Sequence, residues 1–256
     1  MSSMRHSPAR QPNPNLRDMP ARSGETNRKW FERVGAKDGI LLLGGGSLAD
    51  FRVRVAQSHL RGDMLPSFWS LCGILVEGEL FASVPLDTGD VSAVPATNGV
   101  RICRLSDYDD PGLFPNIAVV EFAGKHDTAH ADINRVSGQR GIIDLPSLML
   151  PWLGFVWGAT GAANPLLNAN GLPSAAFVET VFAMSGFELT PGLSSACSCP
   201  EAIWQSAKWW TPFFEDAVRD TGLDHAVPIV PQGWFAIRQP SAAVGVEPRA
   251  LKELSP

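Results

Sequence analysis

The clearest periodic signal lies in residues 174–185. Phe177, Val178, Val181 and Phe182 recur at helical spacing there, and Gly186 supplies a natural stop. Strand-like runs surround it. Ile40-Leu41-Leu42-Leu43 is a short apolar run closed by Gly44-Gly45-Gly46, which predicts a buried strand. Ser47 then opens a helix, with Phe51, Val55 and His59 on one face. Residues 68–76 predict a strand, and residues 79–84 its hairpin partner across Glu77-Gly78. Residues 100–105 and 117–122 predict two more strands, and 229–237 a late one broken by Pro231. Short helices are expected over 129–136, 202–210 and 212–221. No repeat of fixed period is visible. The sum is an α+β fold, a small antiparallel sheet packed against helices.

The stretch 145–178 carries no charge, but prolines 146, 151, 165 and 173 and glycines 154, 158, 161 and 171 interrupt it. A spanning helix wants about 20 apolar residues without such breaks. Buried loop and short helix is the expectation, with an exposed apolar docking surface as the alternative.

Residues 1–29 form a separate region with four prolines and a charge of about +4, leaving the rest at about −9. They hold no aromatic or β-branched apolar residue, so they offer little surface to offset their ordering entropy. The division expected is a basic, Pro-rich flexible arm at 1–29, a folded domain at 30–240 and a C-terminal tail at 241–256. Such an arm could also lie along a partner.

Composition narrows the class. At 256 residues the chain supports one sizeable core, and 45% hydrophobic with 18% charged residues is globular. A net charge of −5 argues against nucleic acid as partner. Four cysteines in this length are no disulfide scaffold, and Cys197-Ser198-Cys199 is too tight for an ordinary bridge. No secretory signal or transmembrane segment is read, so a cytoplasmic site or a soluble assembly is expected.

Two segments carry a resemblance. One is Pro66-Ser67-Phe68-Trp69-Ser70-Leu71-Cys72-Gly73-Ile74-Leu75-Val76-Glu77-Gly78; the other is Pro173-Ser174-Ala175-Ala176-Phe177-Val178-Glu179. Together they resemble the active-site segments of the permuted papain-like (NlpC/P60 superfamily) hydrolases, which include the YiiX-like amidases and the lecithin:retinol acyltransferase group. The strand ending at Leu43 before the Gly turn, residues 187–191 and Pro200-Glu201 add to the likeness, which spans roughly residues 36–210.

In that family a His opens a strand, a Cys opens a helix later in the chain, and a third polar residue follows on the strand beside the His. The resemblance implies that Leu71 stands in the His position, Ser174 in the Cys position, and Ala82 or Ser83 near the third. Leu cannot carry a proton, and a Ser without a base is inert at neutral pH. The bland role for Ser174 is a helix N-cap.

The expectation is therefore a catalytically inactive papain-like domain acting as a structural or binding subunit, needing no cofactor, whose old cleft could still hold a peptide or acyl group. The alternative is an amide or ester hydrolase using Ser174 or Cys72 with a displaced base, His59, twelve residues before Leu71.

The Gly44–Gly46 turn could cradle a phosphate, but no Lys follows and the spacing is incomplete, so a tight turn is expected. His126 and His130 with Asp127 and Asp132 fit a polar turn better than a metal site. Trp204, Trp209 and Trp210 with Phe213 and Phe214 form an aromatic cluster, either a core satellite or a partner-docking face alongside the arm. Oligomeric state is left open.

Overall fold

The computed structural model describes residues 12–87, 89–122, 129–159, 161–221 and 230–239, excepting the side chains of 129–130 and 211–221. Seven strands form one mixed sheet: β1 (Leu16–Asp18), β2 (Gly39–Gly44), β3 (Leu71–Val76), β4 (Leu80–Ser83), β5 (Arg101–Arg104), β6 (Asn116–Glu121) and β7 (Gln232–Ile237). Their order across the sheet is β1-β7-β6-β2-β3-β4-β5. Every neighbouring pair is antiparallel except β1 and β7, which run parallel. The helices are α1 (Asn27–Val34), α2 (Leu48–Ala56), α3 (Ala129–Gly138), α4 (Leu145–Val156), α5 (Pro173–Met184) and α6 (Pro200–Thr221). The α+β class stands, with a larger sheet than the small antiparallel one expected.

Both faces of the sheet are covered, which explains why β2 reads as an unbroken apolar run. Ile40 and Leu42 point into the larger core with α2 to α6; Leu41 and Leu43 point into a smaller one with Trp30 and Phe31 of α1. The same alternation sends Cys72, Ile74 and Val76 of β3 toward α5, and Leu71 and Leu75 the other way. The β3–β4 hairpin turns through Glu77 (φ 53°) and Gly78 (φ 70°), the left-handed pair that matches strand twist.

Three expectations need correction. The first is the arm. Asn13 is buried and donates through Nδ2 to the carbonyls of Ala207 and Pro231 at 3.2 and 2.8 Å. β1 then joins the sheet edge, and Met19 accepts a bond from the Trp30 indole at 2.7 Å. Residues 13–29 thus belong to the domain. Low hydrophobicity hid them because main-chain and Asn bonds do much of the holding, with only Leu16, Met19 and Ala21 packed on the cores. Glu25 adds a two-pronged pair with Arg33 at 2.7 and 2.8 Å, which holds its carboxyl down at about 2. Residues 1–11 and the expected tail, 241–256, lie outside the described residues.

The second correction is α4, a twelve-residue helix where buried loop with a short helix was expected. Asp144 caps it, accepting from Ser147 N at 3.2 Å. Pro146 sits in the first turn, where its missing N–H costs nothing. Pro151 is inside but faces solvent, so water can serve the carbonyl it frees.

The third is the aromatic face. Trp204 and Trp210 are core residues at 5% and 2% exposure. Trp204 packs edge-on against Trp69 and Phe235, and Trp210 stacks on Phe187. Trp209 is half-buried at the kink in α6 and donates to Gln205 at 3.0 Å. Of α2, Val55 is exposed rather than on a buried face, and Val53, Arg54 and Ala56 point inward. Among the described residues, no helix is long and apolar enough to cross a membrane.

Candidate functional site

Two elements meet at the positions the resemblance singles out. The start of α5 is pinned by main-chain bonds from Gly171 N to Ala196 O and from Leu172 N to Ser198 O, both 2.8 Å. A Cβ on Gly171 would sit 2.5 Å from Ser198 O, so only glycine permits this approach. Leu172 is the N-cap and Pro173 takes the first helical position, its ring pre-set for it. Ser174 therefore falls in the second helical position, fully buried, and is not the N-cap that was expected.

The opposing strand brings Cys72 against Ser174. Ser174 Oγ lies 3.4 Å from Cys72 N and 3.8 Å from Cys72 Sγ. Ser83 is buried on β4 and donates its hydroxyl to Cys72 O. The two serines at the degenerate positions are thus both engaged with the main chain of one residue of β3, Cys72. Burial pushes the Cys72 thiol far above the ordinary thiol range, the reverse of what a nucleophile needs.

Leu71 reaches the same place from the rim. It and Ser174 both line a cavity of about 360 Å³ at the end of the sheet. Val53, Val84, Val156 and Leu172 supply apolar wall; Asp50, Ser70 and Arg101 supply the polar part. Among its lining residues there is no His and no Cys. His59 sits exposed on a 3-10 turn after α2 and is not part of the lining. The distribution has a simple cause: period-two alternation turns Cys72 into the α5 core, and His59 falls past the end of its helix.

One wall is braced by a network the sequence showed only in part. Ser47 and Asp50 form a capping box at the start of α2. Asp50 also accepts from Ser70 Oγ at 2.7 Å, and Ser70 Oγ accepts from Gly45 N at 2.9 Å. The glycine turn is therefore a close-packed joint. Its helix N-terminus is already occupied by the protein's own carboxylate, which leaves no place for a phosphate.

Two buried carboxyls outside the cavity lining were missed by sequence reasoning. Glu179 Oε1 accepts from Thr190 and Ser198 hydroxyls at 2.5 and 2.9 Å. Glu201 accepts from Ser67 Oγ at 2.5 Å and Gln205 Nε2 at 2.6 Å, and its own N–H donates to Gln57. Arg54, also buried, donates to Ser67 O at 2.6 Å, so α2, the approach to β3 and α6 share one polar joint. No local pattern in the sequence marks an acid as buried.

Burial raises both carboxyl pKa values above the ordinary 4.5. Above that value the unfolded chain loses protons that the folded state still holds. Stability contributed by these groups is therefore full below about pH 4.5 and declines as pH rises toward the folded values. Glu179→Gln keeps an oxygen for Thr190 and Ser198 and removes the titration. The urea midpoint of this variant is expected to vary less between pH 5 and pH 8 than that of the parent. Equal pH dependence in the two proteins would show that Glu179 is charged in the fold.

The four cysteines are free thiols, Cys72 and Cys199 buried. No cluster of three or more metal-ligating side chains occurs among the described residues. His126 lies outside those residues, and His130 is described only as backbone in α3. No protein family, curated protein or solved structure matches this chain.

Proposed function

We propose that the chain is a permuted papain-like domain that has lost hydrolytic chemistry and acts as a binding or structural subunit of a soluble, cytoplasmic assembly. One observation carries this: Ser174 and Leu71 line a single cavity whose lining offers neither imidazole nor thiol. Acyl transfer needs an activated nucleophile, a proton carrier and donors for the developing oxyanion. Ser174 sits at a helix start, where the dipole would favour an anion, but the cavity lining offers no imidazole to take its proton. The cavity itself persists, mostly apolar with a few polar groups, which is the make-up of a ligand pocket.

The active alternative through Ser174 or Cys72 would require His59 to reach the cavity, and the raised Cys72 thiol works against it. Treatment of folded protein with a fluorophosphonate and with iodoacetamide discriminates the two. The expected result is no modification at Ser174 or Cys72 at neutral pH and no turnover of ester or amide substrates. Turnover abolished by Ser174→Ala would overturn the proposal. The partner is sought through Trp209, the only tryptophan of the 204–210 cluster that is not fully buried.

A further inference from the structure

We infer that the outer edge of β5 is a docking strand for an extended peptide segment that carries an acid two residues before an apolar residue and a second acid directly after it. β5 is the last strand on its side of the sheet. Its register decides which groups are free. Leu105 N donates to Glu79 O at 2.8 Å, and Phe81 pairs with Cys103, Ala82 with Ile102. In an antiparallel ladder bonded and non-bonded pairs alternate, so Arg101 and Cys103 turn their N–H and C=O toward β4. Those of Ile102 and Arg104 turn outward, and among the described residues no main-chain bond beyond the ladder uses them. Two donors and two acceptors at strand spacing form a template for one more strand.

Two of the usual ways of blunting an edge are missing here, although the strand is short and carries two arginines. It contains no proline, and its pairing with β4 is regular over all four residues. Ile102 is 53% exposed, although it lies on the same face as buried Ala82 of β4. Arg104, on that face too, is exposed and forms no ion pair among the described residues. Arg101, on the opposite face, touches Asp87 only at 3.8 Å.

These side chains specify the occupant. An antiparallel segment places an acid opposite Arg104 and an apolar residue opposite Ile102 on one face, with a second acid opposite Arg101 on the other. Pairing β5 with a second copy of itself would gather the arginines of both strands on one short ladder with no acid, which like-charge repulsion disfavours. The outward groups of Ile102 and Arg104 lie apart from the cavity, whose lining includes Arg101, and they do not depend on the family reading.

The probe is the peptide acetyl-Ser-Glu-Thr-Val-Glu-Thr-amide, titrated into the full chain and followed by amide NMR. Saturable shifts are expected at the Ile102 and Arg104 amides, and their hydrogen exchange is expected to slow by about tenfold or more on saturation. Arg104→Glu changes an exposed side chain without touching the ladder, and it is expected to weaken binding about tenfold. The peptide N-methylated at its valine loses the donor facing Ile102 O and is expected not to bind. Unshifted Ile102 and Arg104 amides at millimolar peptide would overturn the inference. So would equal binding of the N-methylated peptide or of one with lysine for glutamate. Concentration-dependent shifts of the same amides without peptide would assign the edge to a second copy instead.

Discussion

Gly44→Ala is expected to abolish folding. A Cβ at this position would stand 1.9 Å from Phe68 O and 2.9 Å from the Asn116 side chain. Phe68 O is main chain held by the strand that follows, so it cannot swing aside. Gly44 pairs with Asn116 of β6, and the neighbouring Gly45 N anchors Ser70 and through it Asp50. Moving the turn would therefore disturb the sheet centre and the cavity wall together. The cost is placed at about 4–5 kcal/mol or more, above the roughly 1–3 kcal/mol usual for overpacking, because the overlap is with main chain that cannot repack. Circular dichroism at room temperature should show lost native signal. Gly62→Ala is the control: nothing lies within 4 Å of its Cβ and its φ is not left-handed, so a change within about 0.5 kcal/mol is expected. A cooperative melt of Gly44→Ala near the parent's temperature would mean that the turn is pliable.

Trp152→Ala is expected to cost about 3–5 kcal/mol. Trp152 is fully buried on α4, meets Phe155 edge-on, and donates its indole N–H to Gly171 O at 2.9 Å. Truncation opens a void and leaves that carbonyl without its side-chain donor, two penalties that add. Gly171 immediately precedes the N-cap of α5, so the start of that helix should loosen as well. Urea unfolding measures the first effect. Faster hydrogen exchange at residues 174–176, relative to the β2 amides, measures the second. Phe in place of Trp keeps most of the volume and should recover most of the loss; equal damage from Phe and Ala would assign the role to the hydrogen bond alone.

The strands and α5 were legible because their signals are local. Ile40 to Leu43 form an apolar run ended by glycines, Glu77-Gly78 divides two alternating segments, and Phe177 to Phe182 recur at helical spacing. α4 was not, because two prolines and no polar face hide a helix whose core side is apolar and whose outer side carries Leu150, 69% exposed, with Trp157 equally exposed just past its end. β1 was not, because three residues tied by main-chain bonds leave no pattern in hydrophobicity. Trp204 and Trp210 were ambiguous for a similar reason: an aromatic cluster reads alike whether it fills a core or waits for a partner.

The chemistry divides along the same line. That Leu71 cannot move a proton and that Ser174 is no thiol are matters of side-chain identity, and the residues alone decide them. So is the capping box at Ser47 and Asp50, whose parts lie within one turn of helix. Whether a displaced base could stand in was a question of distance, and it took the packed fold to leave His59 on an exposed turn while Leu71 and Ser174 came to one cavity. The buried acids Glu179 and Glu201 and the free edge of β5 were likewise decided by tertiary structure. Glu201 is enclosed by Ser67 and Gln57, 134 and 144 residues away, and the edge position of β5 follows from the order of the whole sheet, so no short window along the chain contains them.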